Sequence, residues 1–469
     1  MRKKVLSVVL CGAMAATALA GCGGSSSTSS AGSASATTSA ASSTTSAASS
    51  TTSAASSTTS SAASSTASSA TNTADAGSPV EPDYGTDDMG SGDLKIWVAD
   101  AVVDFTQQQL DQFKKDHSNY ANWNFTIEPV GEGDAASNML TDVEAGADVY
   151  AFPQDQLARL VAAGCLTPLN ETQTQFVTTN NDEGSVTAST LAGTTYAYPI
   201  TSDNGFFLMY DKSVVTDPST LDAVVKSCEE AGKGFYMEIN NGWYQPAFFF
   251  GAGCTLTYDT DETGNFTKCN MDYASENGVN AMKALIALHK SSAFNNGSAV
   301  DKATNMGAIV TGTWSVEGAK TAFGDNYACA KLPTFTCGGE QKQLSGFAGF
   351  KLLGVKPQTD ATKLAVANAV AEYLSTADVQ VARYNAVSWG PSNKVAQQDS
   401  GVTSDVALTA LADQIQYMIP QGQYPNDYWT AATSLGDSIV AGDYDNASDD
   451  DLMKALQDFQ DTCVSYAGQ

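Results

Sequence analysis

The sequence predicts an α/β protein built as two lobes, and three observations carry that prediction. Strand-like and helix-like segments alternate through the first part of the folded region, the pattern of a parallel sheet covered by helices. The chain beyond its low-complexity N-terminal stretch runs to about 385 residues, more than one hydrophobic core usually spans. After Thr201 helical segments dominate, yet strand segments are interleaved among them, so two consecutive self-contained domains fit poorly.

The elements follow in order. Residues 94–98 read as a strand. Thr106 with Gln109 makes a capping box, with Phe105 and Leu110 as the hydrophobic staple around it, and Phe113 continues the apolar face. A strand is expected at 125–130, a helix across 135–144, a strand at 148–152 and a helix at 156–163 stopped by Gly164. Later helices are expected at 221–231, 276–291, 363–375, 406–419, 429–440 and 449–466, the last announced by Ser448 with Asp451 three residues on. Strands are expected at 236–239, 306–310 and 349–355.

The N-terminus speaks to compartment. Arg2, Lys3 and Lys4 precede an apolar run over 5–16, too short to span a bilayer and suited to a signal-peptide core. It closes on Leu19-Ala20-Gly21-Cys22, which resembles a bacterial lipobox. Residues 1–21 are therefore expected to be removed, leaving Cys22 acylated and the protein anchored by lipid on the outer face of the cell membrane. Within 22–84 the unit Thr37-Thr38-Ser39-Ala40-Ala41-Ser42-Ser43 recurs from Thr44 and from Thr51. This seven-residue period carries no Leu, Ile or Val, so it cannot form a coiled-coil seam and reads as a spacer.

Charge and cysteines narrow the function. Loss of Arg2, Lys3 and Lys4 takes the formal net charge from −28 to −31, and only Arg159 and Arg383 remain as arginines. Such a surface excludes nucleic acid as a partner and disfavours a strongly anionic ligand. Seven cysteines follow Cys22, and outside the cell their disulfides can persist. Cys254 and Cys269 bracket a hairpin-like segment, Cys329 and Cys337 a short one around Pro333; two local bridges are expected, with one cysteine left over. The stretch Asp259-x-Asp261-x-Thr263-Gly264 imitates an EF-hand loop, but Asn270 stands where the bidentate Glu belongs, so no metal and no cofactor are expected. His117 and His289 lie in no metal-ligand spacing, and neither a G-x-S-x-G elbow nor a P-loop occurs. A glycosidase, which needs only two carboxylates, is the enzymatic rival.

Six segments then fall in a familiar order: Leu94-Lys95-Ile96-Trp97-Val98, Asp148-Val149-Tyr150-Ala151-Phe152-Pro153-Gln154-Asp155, Ala162-Ala163-Gly164-Cys165-Leu166, Tyr196-Ala197-Tyr198-Pro199-Ile200-Thr201-Ser202-Asp203-Asn204-Gly205, Thr311-Gly312-Thr313-Trp314 and Gly346-Phe347-Ala348-Gly349. Together they resemble the extracellular carbohydrate-binding proteins of ABC transporters, the group that includes the maltose/maltodextrin-binding proteins. The resemblance implies a two-lobe periplasmic-binding-protein-like fold with a hinge and an interlobe cleft. It implies crossings near Thr201, Gly346 and Ser392, giving lobes of 85–201 with 347–391 and 202–346 with 392–469. It further implies a monomer without catalytic residues that closes around its ligand and delivers it to a membrane permease.

A neutral oligosaccharide, a malto-oligosaccharide first, is the implied ligand; a polyamine, amino acid or peptide is the rival. Sugar C–H faces pack on aromatic rings, and sugar hydroxyls need short polar side chains. The resemblance places Trp314 and Trp429 at stacking positions, with Tyr428 able to replace Trp429 by a one-residue shift. It places Phe152 and Asp155 at the ligand, and Trp243 and Tyr244 in a region that supplies cleft aromatics. Asp203 and Asn204 follow the hinge strand and are expected to point into the cleft. Asp100 stands just past the first strand, where open α/β sheets bind ligands. Trp389 could line the cleft or pack at the third crossing.

Overall fold

Leu94, Ile96 and Val98 alternate along the strand Gly92–Val98 and are buried, so this strand sits inside a sheet rather than at its surface. The computed structural model describes residues 78–468 and builds that sheet in the order Trp123–Pro129, Gly92–Val98, Val149–Pro153, Phe347–Val355 and Ile419–Pro420, with Ala197–Asn204 also paired to Phe347–Val355. The signal segment, Cys22 and the serine-rich repeats lie outside the described residues. The first three strands are parallel, as expected. Phe347–Val355 runs antiparallel to Val149–Pro153 and to Ala197–Asn204, which corrects the all-parallel expectation. The reason is topological: this strand returns from the second lobe and enters the sheet at the end the others leave.

Helices cover both faces of the sheet. Leu110 and Phe113 of Val103–Asp116 and Val366 and Val370 of Ala361–Leu374 pack on one side. Met139, Leu157 and Leu160 pack on the other. The second sheet orders Phe294–Asn295, Gly234–Tyr236, Met306–Thr311, Phe207–Asp211 and Tyr327–Ala330. Its large core takes in the helices Leu221–Glu230, Pro246–Ala252, Glu276–His289, Asn426–Val440 and Asp449–Val464.

The chain passes between the sheets at Asn204–Phe207, at Gly346–Phe347, at 389–393 and again at 418–421. At the last, Ile419 donates its amide to the Gly346 carbonyl and Gln421 its amide to Ala348. Gly346 has φ +149°, and a Cβ there would lie 2.6 Å from the Phe206 ring, so only glycine lets the second crossing pass.

Several local readings change. Thr106 does not cap its helix; the helix begins at Val103, after a tight turn at Asp100–Val102, and the Thr106 hydroxyl donates back to the Val102 carbonyl at 2.6 Å. Ser448 and Asp451 do form a capping box, and Gly164 adopts φ +66° just past Leu157–Ala162. Leu256–Thr260 and Phe266–Met271 form the expected hairpin, but its register sets Leu256 opposite Met271 and Tyr258 opposite Cys269. Cys254 therefore falls about four residues, roughly 13 Å, along the ladder from Cys269, too far for a disulfide. Cys329 lies with Met209 and Phe323, whereas Cys337 lies in the larger core with Leu332 and Phe335. All four are thiols, as are Cys165, Cys228 and Cys463.

The packed region begins before residue 85. Val80 exchanges two hydrogen bonds with the Asn180 side chain, at 2.9 and 2.7 Å, and the Tyr84 ring meets Phe113 and His117. Beneath this strap, burial pushes the Glu372 carboxyl up to about 7. The folded chain then holds a proton that the unfolded chain releases near its ordinary value, so Glu372 lowers stability progressively as pH rises from about 4 to about 7. Glu372→Gln is expected to raise unfolding free energy by about 1–3 kcal/mol at pH 8 and to change little at pH 4. Urea titrations at the two pH values check the sign.

Candidate functional site

The C-terminal ends of strands from both sheets face one cavity of about 490 Å³. Open α/β sheets place their ligand sites at such ends, because loops there carry side chains without interrupting the ladder. Gly92–Val98 leads into Ala99 and Ala101, Val149–Pro153 into Asp155, and Ala197–Asn204 contributes Asn204. From the second lobe, Met306–Thr311 leads through Gly312 to Trp314. A Cβ at Gly312 would lie 2.2 Å from the Trp314 ring, so the glycine lets the indole fold back over its own loop.

Trp243, Trp314, Trp389 and Trp429, four of the chain's six tryptophans, line this cavity together with Tyr244. Trp243 and Trp314 lie 5.7 Å apart at 49°. Trp243 is buttressed by Phe206 at 4.8 Å and Tyr244 at 5.0 Å, which fixes its ring.

The polar floor is organised by Gln421. Its Nε2 donates to Asp155 Oδ1 at 2.9 Å, and its Oε1 accepts from Trp243 Nε1 at 3.3 Å and Asn204 Nδ2 at 3.4 Å. Asp155 is buried, and desolvation pushes its carboxyl up to about 7 against the pull of the Arg159 guanidinium. A nearby pair, Glu132 and Lys351, also lines the cavity.

Among the residues expected at the site, Trp314, Trp429, Trp243, Tyr244, Asp155 and Asn204 come together here. The others lie elsewhere. Phe152 is fully buried beside Tyr150, because the strand carrying it is covered on both faces. Tyr428 points into the second core and donates its hydroxyl to the Gly242 carbonyl at 2.9 Å, so Trp429 takes the cavity side of that helix. Asp100 is exposed on its turn, while its neighbours Ala99 and Ala101 face the cavity.

Asp203 serves the hinge. Its Oδ2 accepts from Thr313 Oγ1 at 2.5 Å and from the Gly390 amide at 2.7 Å, joining the first crossing to the Trp314 loop and to the third crossing. The Arg383 guanidinium, buried behind it, is brought down to about 10 by desolvation despite the Asp203 and Glu132 carboxylates. Gln421, Glu132 and Lys351 were missed by sequence reading. Lys351 alone left a signal, as a cation inside the apolar strand Phe347–Val355.

Comparison with known proteins agrees with this geometry. The family model described as bacterial extracellular solute-binding protein matches residues 108–410. A protein whose structure was solved with acarbose superposes with TM-score 0.70 at 26% identity, covering 80% of this chain and 99% of that one. The maltodextrin binding protein MalE1 from L. casei BL23, without ligand, gives TM-score 0.66 at 23% identity, with 80% and 99% covered. The Thermus thermophilus maltotriose binding protein, bound with maltotriose, gives 0.65 at 18%, with 79% and 99% covered. No match was found among curated protein sequences.

Proposed function

This chain belongs to the bacterial extracellular solute-binding protein family, and from that premise we propose that it captures a neutral oligosaccharide of the maltodextrin type for an ABC importer. One observation carries the reading: four tryptophans converge on a single cavity whose floor is hydrogen-bonding amide and carboxyl groups. Aromatic faces suit the C–H surfaces of sugar rings, and the floor suits hydroxyls that must exchange water for new partners. The lobes would rock about the crossings to enclose the ligand, and the closed form would be presented to the permease. The protein acts by capture, in keeping with a relative solved with acarbose and others named for binding maltodextrin or maltotriose. Attachment through an acylated Cys22 completes the proposal; among the described residues no helix is long and apolar enough to cross a membrane.

Calorimetric titration with maltose, maltotriose, maltotetraose and acarbose, alongside tryptophan fluorescence, tests it. Saturable one-to-one binding of at least one of them, with a change in indole emission, is the expected result. Silence across these sugars together with a thermal shift from spermidine would replace the sugar reading with a cationic ligand, which an aromatic cage lined by carboxylates can also hold.

A further inference from the structure

Lys351 and Glu132 face each other across the cavity wall with their Nζ and Oε1 atoms 3.7 Å apart, and their side chains are only 7% and 13% exposed. The ammonium lies 3.5 Å from the ring centroid of Trp389 and 5.6 Å from that of Trp314. The charges therefore compensate one another, and the tryptophan face shelters the cation. Their hydrogen-bonding capacity is left over. Among the described residues Glu132 Oε1 receives no hydrogen bond, and at 3.7 Å the Lys351 ammonium stands beyond hydrogen-bonding distance of it. A buried ion pair in that condition is costly until something supplies the missing partners.

We infer that this pair reads two adjacent hydroxyls of one sugar ring. One hydroxyl donates to Glu132 Oε1 while its neighbour accepts from Lys351 Nζ, and the ring's C–H face rests on Trp314. The inference rests on the neutral-sugar reading above and adds a selectivity rule to it. An anionic ring meets Glu132, and a cationic one meets Lys351. A neutral vicinal diol offers a donor and an acceptor side by side and leaves the compensated charges undisturbed. Neither residue adjoins the tryptophan motifs in sequence; Glu132 opens the helix Glu132–Thr141, and Lys351 sits mid-strand in Phe347–Val355.

The test uses the full-length chain, maltotriose, and the maltotriose analogue whose terminal ring carries a C6 carboxylate. Glu132→Gln is expected to weaken maltotriose binding about tenfold to a hundredfold. It should also shift the affinity ratio toward the carboxylate analogue by at least tenfold, because the freed ammonium then has an anion to pair with. Lys351→Met should weaken maltotriose comparably without that shift. Thermal midpoints of both variants, with Lys351→Gln as a second substitution at that site, identify any loss that is simply unfolding. A purely structural pair would weaken both probes in proportion, and an unchanged ratio in a folded Glu132→Gln protein overturns the inference. Failure of the unaltered chain to bind maltotriose would instead overturn the neutral-sugar reading, and the pair's role with it.

Discussion

Alanine at position 314 is expected to weaken maltotriose binding by about 2–3 kcal/mol, roughly 30- to 150-fold, with the protein still folded. The indole lies over Gly312, 5.7 Å from the Trp243 ring and 5.6 Å from the Lys351 ammonium. Its ring is thus positioned before any ligand arrives, and a sugar gains its apolar contact without ordering a loose side chain. Trp429→Ala is expected to act in the same direction, since Trp429 lines the same cavity at the start of the helix Asn426–Val440. Tyr428→Phe is the contrast: it removes only a buried hydrogen bond to Gly242, and so lowers stability by about 1 kcal/mol while leaving affinity unchanged. Calorimetry on the three variants separates them. A folded Trp314→Ala protein that binds as the unaltered one does would take the ring out of the recognition surface.

The second large effect is expected at the hinge. Asp203→Ala should cost about 3–5 kcal/mol of unfolding free energy, because three buried partners lose their acceptor or counter-charge at once. The Thr313 hydroxyl and the Gly390 amide lose their bonds, and Arg383 loses the carboxylate that compensates its charge most. Since Thr313 precedes Trp314 directly, the variant should also loosen the stacking loop and weaken ligand capture. Chemical denaturation at neutral pH gives the first quantity. A loss below 1 kcal/mol would mean that these bonds are replaced by solvent on mutation, and that the crossings are held together by other contacts.

Much of this architecture was legible because it depends on local periodicity. The first three parallel strands, the hairpin at Leu256–Met271, the capped helix after Ser448 and the turn at Gly164 all follow from patterns a few residues long. Trp314 was legible for a related reason, since a glycine-flanked tryptophan is poorly placed to be core. What escaped depends on distant segments. Gln421 matters because residues 266 positions apart meet, and no local signal marks a glutamine for that duty. Asp203 was read as facing the ligand, but the Trp314 loop and the third crossing close over it. Phe152 and Tyr428 failed by geometry: a strand covered on both faces has no open side, and one residue along a helix turns a side chain about 100° away. The expected disulfides failed because closeness in sequence fixes neither ladder register, as at Cys254 and Cys269, nor which core a side chain enters, as at Cys329 and Cys337.

The docking of Val80 carries a mechanical consequence. Asn180, which grips it, also accepts the Lys394 amide through its own carbonyl, and Asn181 bridges to Asn393. The N-terminal chain is therefore fastened beside the third crossing, close to the axis about which the lobes would rock. A pull along that chain acts on a short lever arm and generates little torque between the lobes. With the chain attached through Cys22, as proposed above, tension from the cell surface would reorient the whole body without prising the cleft open or forcing it shut, and the opening equilibrium would be left to the ligand.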